Sequence, residues 1–266
     1  MVQLSAVPDE PAAVPGPVGT RERNRLARHR GYLRAALHVI SEEGLEALTM
    51  QRLAAEVGAS VGSVYTYFPS KGALVAEVQR EAVERLASSA LVLGGDVDRA
   101  VGRRPDDADL LAPVVAFGRF WLTADATYPE EMRLLLLLLS DAQEAVPAEE
   151  AGRVVPAALR LLGLAEARLR TAAERGALGG DRADGDLASR RTIALAAALT
   201  GCLQLRVVQR WDDELLDPVA SGRHVLDALL LGWGAAADAL AAAHRLVDRL
   251  EADGPLARPL PEGTEP

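Results

Sequence analysis

Apolar residues recur at intervals of three and four positions along most of this chain. Alanine, leucine, arginine and glutamate dominate, and no segment shows the period-two alternation that is typical of a β-strand. The pattern therefore predicts an almost entirely helical protein, which glycine and proline divide into about nine helices. The predicted breaks fall at Gly94-Gly95, Arg103 to Pro105, Tyr128-Pro129, Val146-Pro147, 178–185 and Asp217-Pro218.

The two ends of the chain lack this periodicity. Residues 1–20 and residues 251–266 are rich in proline and poor in large apolar side chains. Such segments bury too little apolar surface to offset the entropy that is lost on ordering. We therefore predict a disordered tail at each end.

Two segments late in the chain carry long apolar stripes at helical spacing. The stripe in 187–209 has small residues in its middle, where another helix could approach closely. Its members are Ile193, Ala197, Thr200, Gly201, Gln204, Val207 and Val208. The stripe in 225–250 comprises Leu226, Leu229, Leu230, Trp233, Ala237 and Leu240. Internal packing and a bundle between subunits both fit these stripes, and the sequence leaves the two alternatives open.

Composition limits the class of protein. A chain of 266 residues has room for about two domains with a sizeable core. Its single cysteine, Cys202, and its four histidines form neither a disulfide framework nor a metal-ligand pattern. The longest aliphatic run, 134–139, is too short to span a membrane, and the first residues lack a secretory pattern. We expect a cytoplasmic protein without a membrane segment, a metal or a cofactor.

Charge is distributed unevenly. The net charge is -9, yet residues 21–80 contain eight arginines and one lysine against six glutamates. The acidic excess lies in residues 81–266. A basic first segment before an acidic body predicts that a polyanion would be met near the N-terminus.

Residues 34–74 show the clearest local pattern. Thr49 can cap a short helix at 50–57, Gly58 can turn the chain, and Ser60 can cap a second short helix that Pro69 ends. Two short helices joined by a glycine turn form a helix-turn-helix unit, which places its second helix in the major groove of DNA.

The second short helix, 61–68, has an unusual composition. Gly62 weakens it, whereas Ser63, Tyr65, Thr66 and Tyr67 add four hydroxyls in eight residues. With Val64 and Phe68 on the buried face, we expect these hydroxyls to point outwards, towards phosphates or base edges. An ordinary solvated helix is the alternative.

The segment resembles the N-terminal signature of the TetR/AcrR family of one-component transcriptional regulators. The matching positions are Ala35-Ala36-Leu37, Glu43-Gly44, Thr49-Met50, Leu53-Ala54, Gly58-Ala59-Ser60, Gly62-Ser63-Val64-Tyr65, Tyr67-Phe68 and Ser70-Lys71. Ile40, Ala59 and Tyr67 depart from the residues most common in the family. The resemblance implies an all-α homodimer, with an N-terminal helix-turn-helix DNA-binding domain followed by a helical ligand-binding and dimerisation domain. Members of the family are more often repressors.

The same resemblance implies a role for individual residues. Thr49, Tyr67 and Lys71 fall where relatives contact DNA phosphates. The recognition helix, capped by Ser60, would read sequence through Val61, Gly62, Ser63, Tyr65 and Thr66. The five arginines in 21–30 either add phosphate or minor-groove contacts or form a solvated helix face.

The domain boundaries follow from the match: a DNA-binding domain at 21–69, a connecting helix at 70–88, and a ligand and dimer domain at 89–250. Bulky apolar residues cluster within the second domain, and we expect them to bind a small apolar or amphipathic effector that controls affinity for a palindromic operator. They are Phe117, Phe120, Trp121, Tyr128 and Met132. Core packing is the alternative interpretation of this cluster.

Two acidic clusters raise the alternative of a magnesium-dependent enzyme. They are Asp106-Asp107-x-Asp109 and Asp213-Glu214-x-x-Asp217. Pro105 and Pro218 place them at helix starts, where carboxylates cap and complement the helix dipole. We therefore expect no enzymatic activity. A helical scaffold without DNA binding is the third class, but it would not need the hydroxyl-rich helix.

Overall fold

The computed structural model describes residues 19–102, 104–140, 150–180 and 184–260. Helices make up most of this part of the chain, and it contains no strand, which confirms the all-α class. The tail predicted for 1–20 lies almost wholly outside the described residues, as do the last six residues and the predicted break at Val146-Pro147.

Three helices form the N-terminal domain: α1 (Thr20–Glu43), α2 (Met50–Glu56) and α3 (Val61–Tyr67). Their inner faces share one apolar core, in which Leu33, Leu53 and Val64 are almost completely buried. The two short helices therefore depend on α1 for their stability, because helices of seven residues do not persist alone in water.

Helix α4 (Lys71–Ala100) joins the two domains without interruption. The predicted break at Gly94-Gly95 is wrong, since the helix runs through both glycines for 30 residues. Its first half contributes Leu74 and Val78 to the N-terminal core, and its second half contributes Leu86 to the core of the second domain. This shared packing stabilises a helix in which each glycine costs about 1 kcal/mol.

In the described residues, six further α-helices follow in the second domain. They are α5 (Asp107–Thr123), α6 (Pro129–Ser140), α7 (Ala151–Arg175), α8 (Leu187–Leu203), α9 (Pro218–Gly232) and α10 (Ala237–Ala252). The stripe predicted for 225–250 belongs to two helices, because Gly234 adopts a left-handed backbone with φ +96° between α9 and α10. Helix α6 also reaches the first domain: the Arg133 guanidinium donates to the Ser41 carbonyl at 2.6 Å.

The tail predicted from Glu251 is wrong for residues 251–260. After α10 ends, the chain returns along the second domain and buries Leu256 and Ala257. Two side-chain hydroxyls hold this segment in place. Thr127 donates to the Ala257 carbonyl at 2.7 Å, and Tyr128 donates to the Arg258 carbonyl at 2.7 Å. We call residues 253–260 the C-terminal strap. Proline content alone did not reveal it, because its partners lie more than 120 residues away in sequence.

None of the helices in the described part of the chain is long and apolar enough to cross a membrane.

Candidate DNA-binding site

Hydroxyl caps define the helix-turn-helix unit, as the sequence predicts. Thr49, Ser60 and Ser70 begin α2, α3 and α4, and each accepts a hydrogen bond from the backbone N–H three residues later, at 3.0, 3.2 and 3.0 Å. Gly58 turns the chain between α2 and α3 with φ +64°. Local chemistry therefore fixes where each of these helices begins.

Helix α3 has a buried face and an outer face. Val64 and the C-terminal Phe68 are 0% and 2% exposed. Gly62, Tyr65 and Thr66 lie on the outer face, where Tyr65 is 49% exposed. A Cβ atom added at Gly62 would meet nothing within 4 Å, so internal packing does not require glycine there. On the outer face, the backbone at Gly62 is therefore open to solvent, with the side chains of Tyr65 and Thr66 beside it.

The four hydroxyls of α3 are not equivalent. Ser63 is half-buried, and its Oγ lies 2.9 Å from the Tyr32 hydroxyl on α1. The prediction that all four point outwards is wrong for Ser63, because α1 covers this side of the helix. Thr66 donates to the Gly62 carbonyl at 3.0 Å but remains exposed. Tyr67 is half-buried, with its ring centroid 5.1 Å from that of Tyr32.

The residues expected to contact phosphates flank α3. Thr49 is exposed at the start of α2, and Lys71 is half-buried in the first turn of α4. Val61 begins α3 and is half-buried. Arg52, which the sequence did not single out, forms ion pairs with both Glu43 and Glu56 at 2.6 Å. Hydrogen bonding to Arg52 lowers the pKa of Glu43, so these charges balance locally.

The arginine-rich segment 21–30 is the exposed first part of α1. Arg25 pairs with Glu22 at 3.0 Å. Further along, Arg28 and Tyr32 line a cleft of about 520 Å³ whose other wall contains Ser60 and Ser63. The basic face of α1 thus adjoins the recognition helix, as the phosphate-contact alternative requires.

Sequence reasoning missed His29 and Tyr32. The His29 ring lies 5.0 Å from that of Phe68, and burial lowers its pKa. The available signal was their spacing: both residues lie on the helical stripe of α1 that continues through Leu33 and Ala36.

The five residues predicted to bind an effector are all buried, but they do not line one cavity. Phe117 lines a cleft of about 220 Å³ beside α4 and α7. Trp121 lines a second cleft of about 410 Å³. Phe120 and Met132 pack in the core, and the Tyr128 hydroxyl is engaged by the C-terminal strap. The core-packing alternative therefore describes most of this cluster.

The larger of these clefts lies among α5, α6, α7 and α8, and its lining is mostly apolar. Leu135, Leu161 and Ala197 contribute to it, together with Trp121 and Thr200. In the described part of the chain, neither Trp121 Nε1 nor Thr200 Oγ1 has a hydrogen-bond partner. A buried polar group without a partner costs about 1–3 kcal/mol.

The two predicted apolar stripes have different outcomes. On α8 and just beyond it, Ile193 and Val207 are 63% and 69% exposed, so the described part of this chain does not cover that stripe. On α9 and α10, Leu226, Leu230 and Leu240 are buried within the chain. Internal packing accounts for these three members of the second stripe, whereas Leu229 and Trp233 are half-buried and Ala237 is exposed. It fails to account for the first stripe.

The acidic clusters act as helix caps. Asp106 accepts a hydrogen bond from the Asp109 backbone at 2.9 Å and begins α5, while Asp217 accepts one from the Val219 backbone at 2.9 Å and begins α9. Within the residues that the structure describes, no group of three or more histidine, cysteine, aspartate or glutamate side chains is placed to hold a metal ion.

Comparison with known sequences supports the geometry of the first domain. Residues 33–78 match the sequence model of bacterial regulatory proteins of the tetR family. The HTH-type transcriptional repressor DrrR1 of Streptomyces coeruleorubidus is 40% identical over 60 residues. That match covers 23% of this chain and 22% of the length of DrrR1, so the chain spans only about a fifth of this relative.

Comparison with solved structures extends the likeness to the second domain. A TetR transcription regulator from Haloarcula marismortui ATCC 43049 shares 19% identity with a TM-score of 0.58, covering 78% of this chain and 98% of that one. The transcriptional regulator FadR from Bacillus subtilis, solved with stearoyl-CoA, shares 16% identity with a TM-score of 0.52, covering 76% and 97%. At these identities the likeness shows the fold.

These relatives are transcription regulators and not enzymes, in agreement with the expectation from the sequence. The resemblance read from residues 34–74 is confirmed by the family match and by the shared two-part helical fold. The helix-turn-helix domain of this chain, at residues 33–78, is therefore similar to that of the tetR family of bacterial regulatory proteins.

Proposed function

We propose that the protein is a sequence-specific transcription repressor, which binds a palindromic operator in double-stranded DNA as a homodimer. A small apolar or amphipathic ligand would release it. The observation that carries this proposal is the outer face of α3, where Gly62, Tyr65 and Thr66 are exposed above the buried Val64. Such a repressor acts where the chromosome is, in the cytoplasm.

The arrangement of side chains supports a division of roles at the DNA. Tyr65 and Thr66 can reach base edges, and Gly62 lets the backbone approach closely because no side chain intervenes. Thr49 and Lys71 flank α3 and would position it through phosphate contacts, which carry no sequence information.

The test is selection of bound sequences from a randomised duplex pool with the full chain. A palindrome is the expected product, with half-sites about 34–36 Å apart, since a two-fold dimer presents two recognition helices to one face of DNA. A pool without any enriched sequence would overturn the proposal.

A pair of variants separates positioning from reading. Lys71→Ala should weaken binding to selected and random DNA alike, and lower the salt slope by about 1 per subunit, because one phosphate contact is lost. Tyr65→Phe should change base preference and leave the salt slope intact. Equal losses on both kinds of DNA for both variants would contradict this division.

The homodimer would form through the exposed stripe on α8, whose Ile193 and Gly201 also line the 410 Å³ cleft, so a partner subunit would adjoin that cleft. Ile193→Asp introduces charge there, and Gly201→Arg adds bulk where a Cβ would meet nothing within 4 Å of the same chain. Both variants should fold and separate into monomers by light scattering. Leu91→Asp is the control, because Leu91 on α4 is equally exposed at 63%. A folded dimer in both stripe variants would place the interface elsewhere.

The 410 Å³ cleft is the stronger candidate for the ligand, in place of the five-residue cluster taken as a whole. Its volume falls within the range of small-molecule sites, and its apolar lining contains the two unpartnered groups of Trp121 and Thr200. This combination favours an apolar molecule with a hydrogen-bond acceptor, such as a ketone or an ether.

Matched probes test the cleft. In a panel of apolar molecules paired with analogues that lack the acceptor, fluorenone should raise the Tm more than fluorene does. Trp121→Phe and Thr200→Val remove the two polar groups, the first with a smaller ring and the second with an isosteric side chain, and both should reduce that difference. Phe117→Leu in the smaller cleft should not. Equal shifts by both probes in wild type and variants would exclude this cleft as an acceptor-binding site.

A further inference from the structure

The structure assigns to Tyr32 on α1 the role of a positioning residue, which fixes α3 in the orientation that reads DNA. The inference rests on the proposed DNA-binding function and concerns a residue outside the helix-turn-helix unit. Tyr32 is 2% exposed, and its hydroxyl lies 2.9 Å from Ser63 Oγ. A partly buried hydroxyl pair at this distance is a directional contact between the two helices.

The ring of Tyr32 holds the other end of the same helix. Its centroid lies 5.1 Å from that of Tyr67, with an interplanar angle of 58°, and 6.2 Å from that of Phe68, with an angle of 84°. Ser63 and Tyr67 are four residues apart, so they lie on one face of α3. One side chain therefore contacts both turns of the recognition helix.

Helix α3 packs against the N-terminal core through Val61, Val64 and Tyr67, and the contact with Tyr32 adds a directional restraint to this packing. It contains seven residues, and Val64 is the one fully buried side chain within it. Apolar packing is non-directional, whereas a hydrogen bond depends on the relative orientation of its two groups. The hydrogen bond to Ser63 restricts rotation of α3 about its own axis, and the angle at which Tyr65 and Thr66 meet DNA then depends on Tyr32.

Tyr32 also fixes the spacing between the two walls of the 520 Å³ cleft, one formed by α1 and the other by α3. Arg28, one helical turn earlier on α1, lines one wall, and Ser60 and Ser63 line the other. Because Tyr32 spans this cleft, α1 and α3 would meet DNA as one rigid surface. Ser63, assigned to sequence reading from the sequence alone, then acts through its contact with α1.

The experiment measures Kd for the selected operator and for a scrambled duplex, using the full chain. Tyr32→Phe keeps the ring and removes the hydroxyl, and Ser63→Ala removes the other partner. Each should weaken operator binding by about three- to tenfold, the range for one lost hydrogen bond, and change scrambled-duplex binding less than twofold. The double variant should be no weaker than the weaker single, since both remove the same contact.

Two controls separate positioning from general destabilisation. Ser63→Thr retains a hydroxyl and should restore operator binding to within about twofold of wild type. Tyr128→Phe removes one buried tyrosine hydrogen bond in the second domain and should leave DNA binding unchanged.

The outcomes distinguish this inference from the proposed function. Failure of the wild-type chain to select any operator would overturn both. An operator with unchanged affinity for Tyr32→Phe would overturn the role of Tyr32 alone. Losses of operator affinity that multiply in the double variant would show that Ser63 contacts DNA independently. Equal losses of affinity for the operator and the scrambled duplex would show that Tyr32 only stabilises the domain.

Discussion

The two domains present opposite surfaces to their surroundings. The outer face of α3 exposes glycine, threonine and tyrosine, with the arginine-rich start of α1 beside it. The second domain exposes large apolar side chains instead, among them Ile193, Val207, Trp211 and Leu215. The first surface suits a hydrated polyanion, and the second suits apolar contact with protein. One helical fold thus presents two kinds of surface through the residues placed on its outer faces.

Glycines show the same contrast between the domains. Gly62 on α3 faces open space. Gly118 on α5 faces Leu226 of α9, and Gly222 on α9 faces Leu122 of α5, so that each helix offers a gap to the other's leucine. Packing within the chain does not require the first glycine, whereas the other two allow close packing of α5 and α9.

The largest expected effect is a loss of stability in Gly222→Ala. The added Cβ would overlap Leu122 Cδ2 and lie 3.0 Å from Leu122 Cγ, and Leu122 is fully buried. Overpacking of this kind costs about 1–3 kcal/mol. Gly62→Ala is the matched control: it should raise the free energy of unfolding by up to about 1 kcal/mol while weakening DNA binding. Urea titrations of both variants with equal midpoints would remove the contrast between the domains.

A smaller effect is expected from removing one tyrosine hydroxyl in each domain. Tyr128→Phe deletes the hydrogen bond to the Arg258 carbonyl, which should lower the free energy of unfolding by about 1 kcal/mol without affecting DNA binding. Tyr65→Phe should change stability by less than about 0.5 kcal/mol, because that side chain is half-exposed. A decrease in Tm for Tyr65→Phe as large as that for Tyr128→Phe would show that the Tyr65 side chain is more buried than its 49% exposure indicates.

The smallest effects concern pH, and they should have opposite signs in the two domains. Burial lowers the pKa of His29 below its ordinary value of 6.5, so the unfolded chain binds this proton more readily and acidification towards pH 5 should destabilise the fold. Burial raises the pKa of Glu131 above its ordinary value of 4.5 despite an ion pair with Arg85 at 3.0 Å. Acidification from pH 7 should therefore relieve the cost of this buried charge.

Denaturant titrations at pH 7 and pH 5 measure both effects as differences from a non-titrating variant. Relative to His29→Gln, the wild-type chain should lose stability on acidification. Relative to Glu131→Gln, it should gain stability over the same interval. Differences of the same sign would contradict one of the two burial arguments.

The helix-turn-helix unit could be predicted closely because its signals are local. Thr49, Ser60 and Ser70 cap helices through hydrogen bonds that span three residues, and Gly58 turns the chain through its own backbone freedom. Each of these interactions is complete within one short segment. The resemblance to the family depends on the same residues.

Predictions failed where distant contacts override local preference. Gly94-Gly95 would break an isolated helix, but α4 packs along two cores and continues through them. The strap looked like a disordered tail, yet Leu256 and Ala257 find a buried place on the second domain. The side of α3 that α1 covers could not be predicted either, because the contact between Tyr32 and Ser63 spans 31 residues.

The sequence by itself determined the helical class, the caps and turns of the DNA-binding unit, and which residues compose its recognition helix. Those features depend on hydrogen bonds and periodicities within a few residues. Only the tertiary structure decided which hydroxyls of α3 face outwards, which apolar stripe stays exposed, and that Trp121 and Thr200 share a cleft. These outcomes depend on which helices come to lie side by side, and burial is a property of that arrangement and not of the order of residues along the chain.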